Sequence, residues 1–184
     1  YTESLSAVTA VDYIVMEAGD WVIIDGGGGT RIVAGTVADV SSVDGSIPGY
    51  DGGTLVDFSP DFSTVPGALT TVSTANGSKW VATVIDDGTA AGEITAASMF
   101  VALGIGLDTD TVRVPENIDY LAFETGVGSN NGVLFDAFNT GQVVTESETE
   151  STISFNQTFG SAPGVIVVQN NGTDGTDGGF AQVD

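Results

Sequence analysis

The chain has 184 residues, with 3 Lys+Arg against 25 Asp+Glu, a formal charge of −22, and neither cysteine nor histidine. So acidic a chain is a poor partner for nucleic acids and for anionic membrane surfaces, which are held through Lys and Arg. Without Cys and His there are no disulfides, thiol nucleophiles, imidazole bases or usual zinc and copper sites, and the chain reads as a protein that is not an enzyme.

In chain order, runs rich in β-branched and aromatic residues predict strands at 11–17, 20–24, 31–37, 66–73, 79–85, 97–107, 118–124, 132–138, 150–155, 164–169 and 179–183. Turn signals separate them: DGGGG at 25–29, PGYDGG at 48–53, ANGS at 75–78, DDGTAAG at 86–92, GSNNG at 128–132 and NNGTDGTDGG at 170–179. Only EITAASMF at 93–100 offers a competing helical turn. Many short strands at this spacing predict an all-β fold of antiparallel β-sandwich type. The longest apolar stretches, such as 97–107, fall short of the ~20 residues of a membrane helix, so no membrane insertion is expected. The Gly-, Thr- and Asp-rich composition suggests an exported product found outside the cell or on its surface, and the start at Tyr1 suggests a processed chain or a segment of a longer one.

Two motifs occur twice. VDYIVMEAG at 11–19 is echoed by IDYLAFETG at 118–126, and Phe58, Phe62, Pro66 and Gly67 are echoed by Phe155, Phe159, Pro163 and Gly164, a constant offset of 97 residues. Both copies of the second motif read F-x3-F-x3-PG followed by two apolar residues. The order of these motifs predicts two modules related by an internal repeat. Module A spans 58–144 and is complete; module B is split between an N-terminal segment, 1–37, and a C-terminal segment, 145–184. The Ser-, Gly- and Asp-rich stretch 38–57 reads as a linker between the modules, with a place in module A as the alternative.

The F-x3-F-x3-P motif ahead of VIVVQ, GGFAQV at 178–183, and VDYIVMEAGDW running into RIVAGTV at 31–37 together resemble the H-type lectin-like β-sandwich domains of bacterial extracellular and surface proteins. That resemblance implies a compact antiparallel sandwich of about six strands, used in tandem or oligomeric surface proteins and, in animal members, for binding sugars. The family's sugar-contacting residues match no positions here, so a glycan partner is expected only in the alternative reading of the protein as a lectin-like adhesion module.

Three readings follow from a split module. Residues 1–37 fold back onto 150–184, or they complete module B of a neighbouring copy, or the 184 residues are one period of a longer tandem chain. A head-to-tail exchange of the second kind does not close and builds a filament of identical copies. The expected interface brings Val11, Tyr13, Ile14, Val15, Met16 and Trp21 against Phe155, Phe159, Val165, Ile166, Val167 and Phe180. On these boundaries, removing 1–37 leaves module A folded and abolishes assembly.

Remaining polar features have weaker readings. Asp174 and Asp177, or Asp86 and Asp87, are candidate oxygen ligands for calcium, although Asp and Asn in Gly-rich turns need no metal. Asn76, Asn156 and Asn171 head N-x-S/T sequons and are candidate glycosylation sites. Asp12, Glu17, Asp119 and Glu124 flank the repeated strand, where acids are far more often solvated than catalytic.

Overall fold

A computed structural model of the chain describes residues 14–25, 28–41, 53–78, 81–85, 94–104, 114–130, 132–140 and 152–168. Among these residues there is no helix. Nine strands follow in chain order: β1 (Gly19–Asp25), β2 (Gly28–Val40), β3 (Thr54–Asp57), β4 (Gly67–Val72), β5 (Ala82–Ile85), β6 (Ser98–Gly104), β7 (Glu116–Phe123), β8 (Gly126–Asn130) and β9 (Val133–Ala137). They form a four-stranded sheet ordered β1-β2-β7-β4, a three-stranded sheet ordered β3-β6-β5 and the hairpin β8-β9. Every pairing is antiparallel. The all-β expectation holds.

The repeated strand IDYLAFE supplies the centre of the larger sheet. As β7 it pairs with β2 on one side (Ile32↔Phe123, Ala34↔Leu121) and with β4 on the other (Gly67↔Phe123, Leu69↔Leu121). Residues alternate between the two faces of a strand, so an interior strand with one covered face must carry an apolar residue at every second position. Ile118, Tyr120 and Ala122 form that face; Ile118 and Ala122 are fully buried. They meet Val56, Ile85, Met99, Val101 and Leu103 from the smaller sheet, with Phe58 and Phe62 closing the same core. One core shared by two sheets is the arrangement of a β-sandwich. The Thr70 hydroxyl of β4 donates to the Thr83 hydroxyl of β5 at 2.8 Å, a polar link between the layers.

β2 carries a bulge between Val37 and Val40, where Asp39 takes a φ of 55°. The Asn117 side-chain oxygen accepts from the Asp39 amide at 3.2 Å, so the amide displaced from the ladder keeps a partner. At 93–100 the helical alternative loses: the Thr95 hydroxyl accepts from the amides of Ala97 (3.2 Å) and Ser98 (3.0 Å), capping a tight turn that leads into β6.

Three boundaries are redrawn. Gly28–Val37 is not confined to module B, because β2 is an interior strand of the sheet built on β7 and β4. Residues 38–57 are not simply a linker: Val40 and Val56 are buried in the core, and β3 pairs with β6 (Thr54↔Val101). Two well-spaced apolar anchors outweigh a polar, Gly-rich average. Module A as drawn, 58–144, is therefore not complete, since it lacks β1, β2 and β3. The strands expected at 11–17, 150–155 and 164–169 are also absent from their described parts: Ile14–Glu17, 152–155 and 164–168 take no strand pairing. The strand expected at 179–183 lies outside the described residues.

Candidate assembly site

The two F-x3-F motifs share one local geometry. The rings of Phe58 and Phe62 meet edge to face, with centroids 5.0 Å apart and planes at 88°; those of Phe155 and Phe159 do so at 5.5 Å and 83°. Edge-to-face packing suits the opposed charge of ring edge and ring face. Their surroundings differ. Phe58 is 1% exposed and Phe155 43%.

Around the first motif everything closes. The amides of Phe58 and Phe62 donate to the carbonyls of Ala97 (2.7 Å) and Ala96 (2.8 Å), which ties the motif to the turn before β6. Gly67 opens β4 directly opposite Phe123, whose ring fills the space a Cβ on Gly67 would need. From β2, the Arg31 guanidinium lies over the Phe62 ring, 4.5 Å from its centre, and donates twice to the Asp20 carboxylate at 2.9 Å each. Those hydrogen bonds, with the charge of Arg31 behind them, hold the Asp20 carboxyl below its usual range. Glu124, just past β7, accepts from the Ser63 hydroxyl and from the Arg31 amide at 3.3 Å, and the Ser63 bond is the main cause of its lowered pKa.

Around the second motif the same elements stand apart. The Asp136 carboxylate of β9 accepts from the amides of Asn156 and Gln157, the latter at 3.1 Å, and holds the motif against the hairpin. Beyond that, no described residue lies within 4 Å of a Cβ on Gly164, where Gly67 has Phe123. Ile166 and Val167 are exposed, and so are Val133 and Leu134 of β9. Upstream, Ile14 is exposed and Val15 is 84% exposed, whereas Ala122, its counterpart in the repeated strand, is fully buried. Met16 and Val165 are half-buried. The structure thus brings Phe155 and Phe159 together, but no strand pairing joins Ile14–Glu17 to Gly164–Val168. Trp21 sits on β1, partly exposed, with its indole N–H donating to the Glu17 carbonyl at 2.9 Å.

Each copy of the nine-residue motif is followed by a hairpin that begins the same way. Gly19 (φ 151°) opens β1 and faces Ala34 of β2; Gly126 (φ 147°) opens β8 and faces Ala137 of β9. Both φ values lie in the region that favours glycine. The two hairpins end differently, since β2 runs on into the sheet beside β7 while β9 has only β8 beside it among the described residues.

Of the other candidate residues, Asn76 and Asn156 are exposed. The Asn76 side-chain nitrogen donates to the Pro115 carbonyl at 2.9 Å, and that of Asn156 to Asp136 at 3.4 Å. Val11, Tyr13, Phe180, Asn171, Asp86, Asp87, Asp174 and Asp177 lie outside the described residues. Among the described residues, no group of three or more Asp and Glu gathers as a metal site would require. Sequence reading missed Glu116. It is buried at the head of β7 and accepts from the Thr74 hydroxyl (2.6 Å) and the amides of Asn76 (2.9 Å) and Gly77 (2.8 Å), the Asn76 amide doing most to lower its pKa. The Asn-Gly pair at 76–77, which exposes two adjacent amides in a turn, was its available signal.

No protein-family model matches the chain, and no curated protein or solved structure matches it either.

Proposed function

We propose that this protein is the building block of an extracellular filament or surface fibre, and that copies join by exchanging strand segments across an internal repeat. The observation that carries this reading is the contrast in burial between the two copies of each motif. Phe58 and Ala122 are core residues, whereas Phe155 and Val15 are exposed. An apolar side chain of this size gains about 1.5–3 kcal/mol on full burial, so several exposed together favour a partner surface.

The partner that fits is a second copy of the same sequence, which carries the missing strand. Each copy then donates at one end and accepts at the other, and the contact propagates without closing. Like charge opposes it. With a formal charge of −22 per copy, assembly strengthens as salt or divalent cations screen the repulsion. The extracellular setting rests on the cysteine-free, Gly-rich and Lys-poor composition.

Electron microscopy of the purified protein, with a denaturing gel of the same sample, tests this. Filaments that dissociate to a species near 18.6 kDa support exchange between separate copies. Filaments running as one very large chain support the same exchange between tandem copies. Monodisperse single-copy particles at every salt concentration overturn the proposal.

A further inference from the structure

We propose that β9 and Gly164–Val168 are the two walls of an acceptor groove, and that its occupant is Ile14–Met16 of a second copy, seated in the register that β7 holds between β2 and β4. The inference rests on the fibre reading above and specifies its joint.

The first motif set supplies the template. Ile14, Val15 and Met16 correspond to Leu121, Ala122 and Phe123 of β7. Gly164, Val165 and Ile166 correspond to Gly67, Ala68 and Leu69 of β4. Because both hairpins start from a positive-φ glycine facing an alanine, Phe135, Asp136 and Ala137 correspond to Ile32, Val33 and Ala34 of β2. β7 pairs Leu121 with Ala34 and Leu69, and Phe123 with Ile32 and Gly67. Carried over, Ile14 lies between Ala137 and Ile166, Val15 between Asp136 and Val165, and Met16 between Phe135 and Gly164.

Three features of the groove fit that occupant. No described residue comes within 4 Å of a Cβ built on Gly164, whereas the Phe123 ring fills the equivalent space above Gly67, so a long side chain such as Met16 matches the place that Phe123 takes. β9 has no strand on its free edge among the described residues, which leaves backbone groups to pair. Alternation along the strand then turns Val15 to the face that Ala122 uses in the core, the face of the F-x3-F rings. In one copy Ile14–Glu17 takes no strand pairing and leaves Ile14 and Val15 exposed, with the Trp21 indole of β1 donating to the Glu17 carbonyl, so the segment is presented outward rather than used within its own chain.

Because the native chain has no cysteine, disulfide trapping reads the register cleanly. Full-length Ile14→Cys/Ala137→Cys is oxidised and run on a denaturing gel, beside Val15→Cys/Ala137→Cys, in which the two side chains point to opposite faces and Asp136 is left in place. The expected result is a ladder of multiples of 18.6 kDa for the first pair only, and a two-chain band when Ile14→Cys and Ala137→Cys single variants are mixed. Gly164→Val keeps the single-copy fold but loses the filaments. Micrographs of wild type separate the two levels of failure. Wild-type filaments with no in-register bridge overturn this groove and leave the fibre reading standing. Absence of both filaments and bridges overturns both. A bridge formed only within one copy overturns the second-copy occupant.

Discussion

Phe58 and Phe155 begin the same F-x3-F-x3-PG motif and stack on their second phenylalanine in nearly the same way, yet one is core and the other surface. The ring pair joins residues only four positions apart in each copy. What differs is company. Phe58 and Phe62 have β6, β7 and a hairpin strand from far upstream, β2, with Arg31 laid over the second ring. Phe155 and Phe159 have β9, attached through Asp136, and no further sheet among the described residues. The contrast teaches that in this chain a motif sets a shape, while burial depends on strands delivered from elsewhere.

The most severe way to break that contrast is to remove the delivered strand. Deleting residues 1–37 takes away β1 and most of β2, exposing one whole edge of β7, and the variant is expected to lose cooperative unfolding altogether, seen as loss of the sheet signal in circular dichroism. Deleting only residues 1–16 spares both strands. On the proposed exchange it keeps the single-copy fold and forms no filaments, and unfolding of this shorter deletion would contradict the boundaries drawn from the structure.

Smaller and more local is the pair Phe58→Ala and Phe155→Ala. Emptying a fully buried Phe site costs about 3–5 kcal/mol, a large part of the ~5–15 kcal/mol that holds a domain together. At the exposed Phe155 the loss in a single copy is about 1 kcal/mol, mostly the ring pair with Phe159. Urea titration under conditions that prevent assembly reads the difference, and equal losses at the two sites would erase the distinction.

Much of this fold is legible in the sequence, and the failures have physical reasons. The apolar runs of β2, β6 and β7 announce themselves because interior strands need an apolar residue at every second position, and β4, an edge strand, keeps the same pattern through its covered face. β3 hides in a polar stretch because an edge strand of four residues needs only one buried side chain, Val56, to hold its place. Ile14–Glu17 and 164–168 read as strands by composition, yet strand geometry requires a neighbour to pair with, which no single-segment pattern reveals. The redrawn role of β2 has the same origin: the repeat shows which segments are alike, not which copy's sheet each one joins. Glu116 escaped because its partners, Thr74, Asn76 and Gly77, lie about forty residues away and are two backbone amides and a hydroxyl.

Glu116 also separates the two regions by pH. Its carboxyl, like that of Glu124, titrates below the ordinary range because hydrogen bonds favour the charged form. A folded pKa below the unfolded one means stabilisation that is complete above the unfolded value and is lost as pH falls through the folded value. Protonation of the other acids relieves repulsion in the same window, so the informative quantity is the gap between wild type and Glu116→Gln. That gap is expected to be open at about pH 7 and to close in acid, when denaturation midpoints are followed across the range. A gap independent of pH would mean that the carboxylate's charge plays no part in holding the 73–77 turn.

The smallest expected effect is also the sharpest test of the comparison, because it adds a single carbon. Gly67→Ala places a Cβ against the Phe123 ring, and Gly164→Ala places one where no described residue comes within 4 Å. In the first case the ring must shift, at a cost of about 1 kcal/mol, the low end for overpacking, because a side-chain tip can give way where backbone cannot. In the second the folded copy has nothing to displace, and fewer unfolded conformations favour it by about 0.4–1 kcal/mol if the backbone there suits alanine. The signs are opposite for the same substitution at the same place in the motif. Were Gly164→Ala to destabilise a single, unassembled copy as Gly67→Ala does, the space above Gly164 would already be filled within one chain, and the open half of the molecule would have closed on itself.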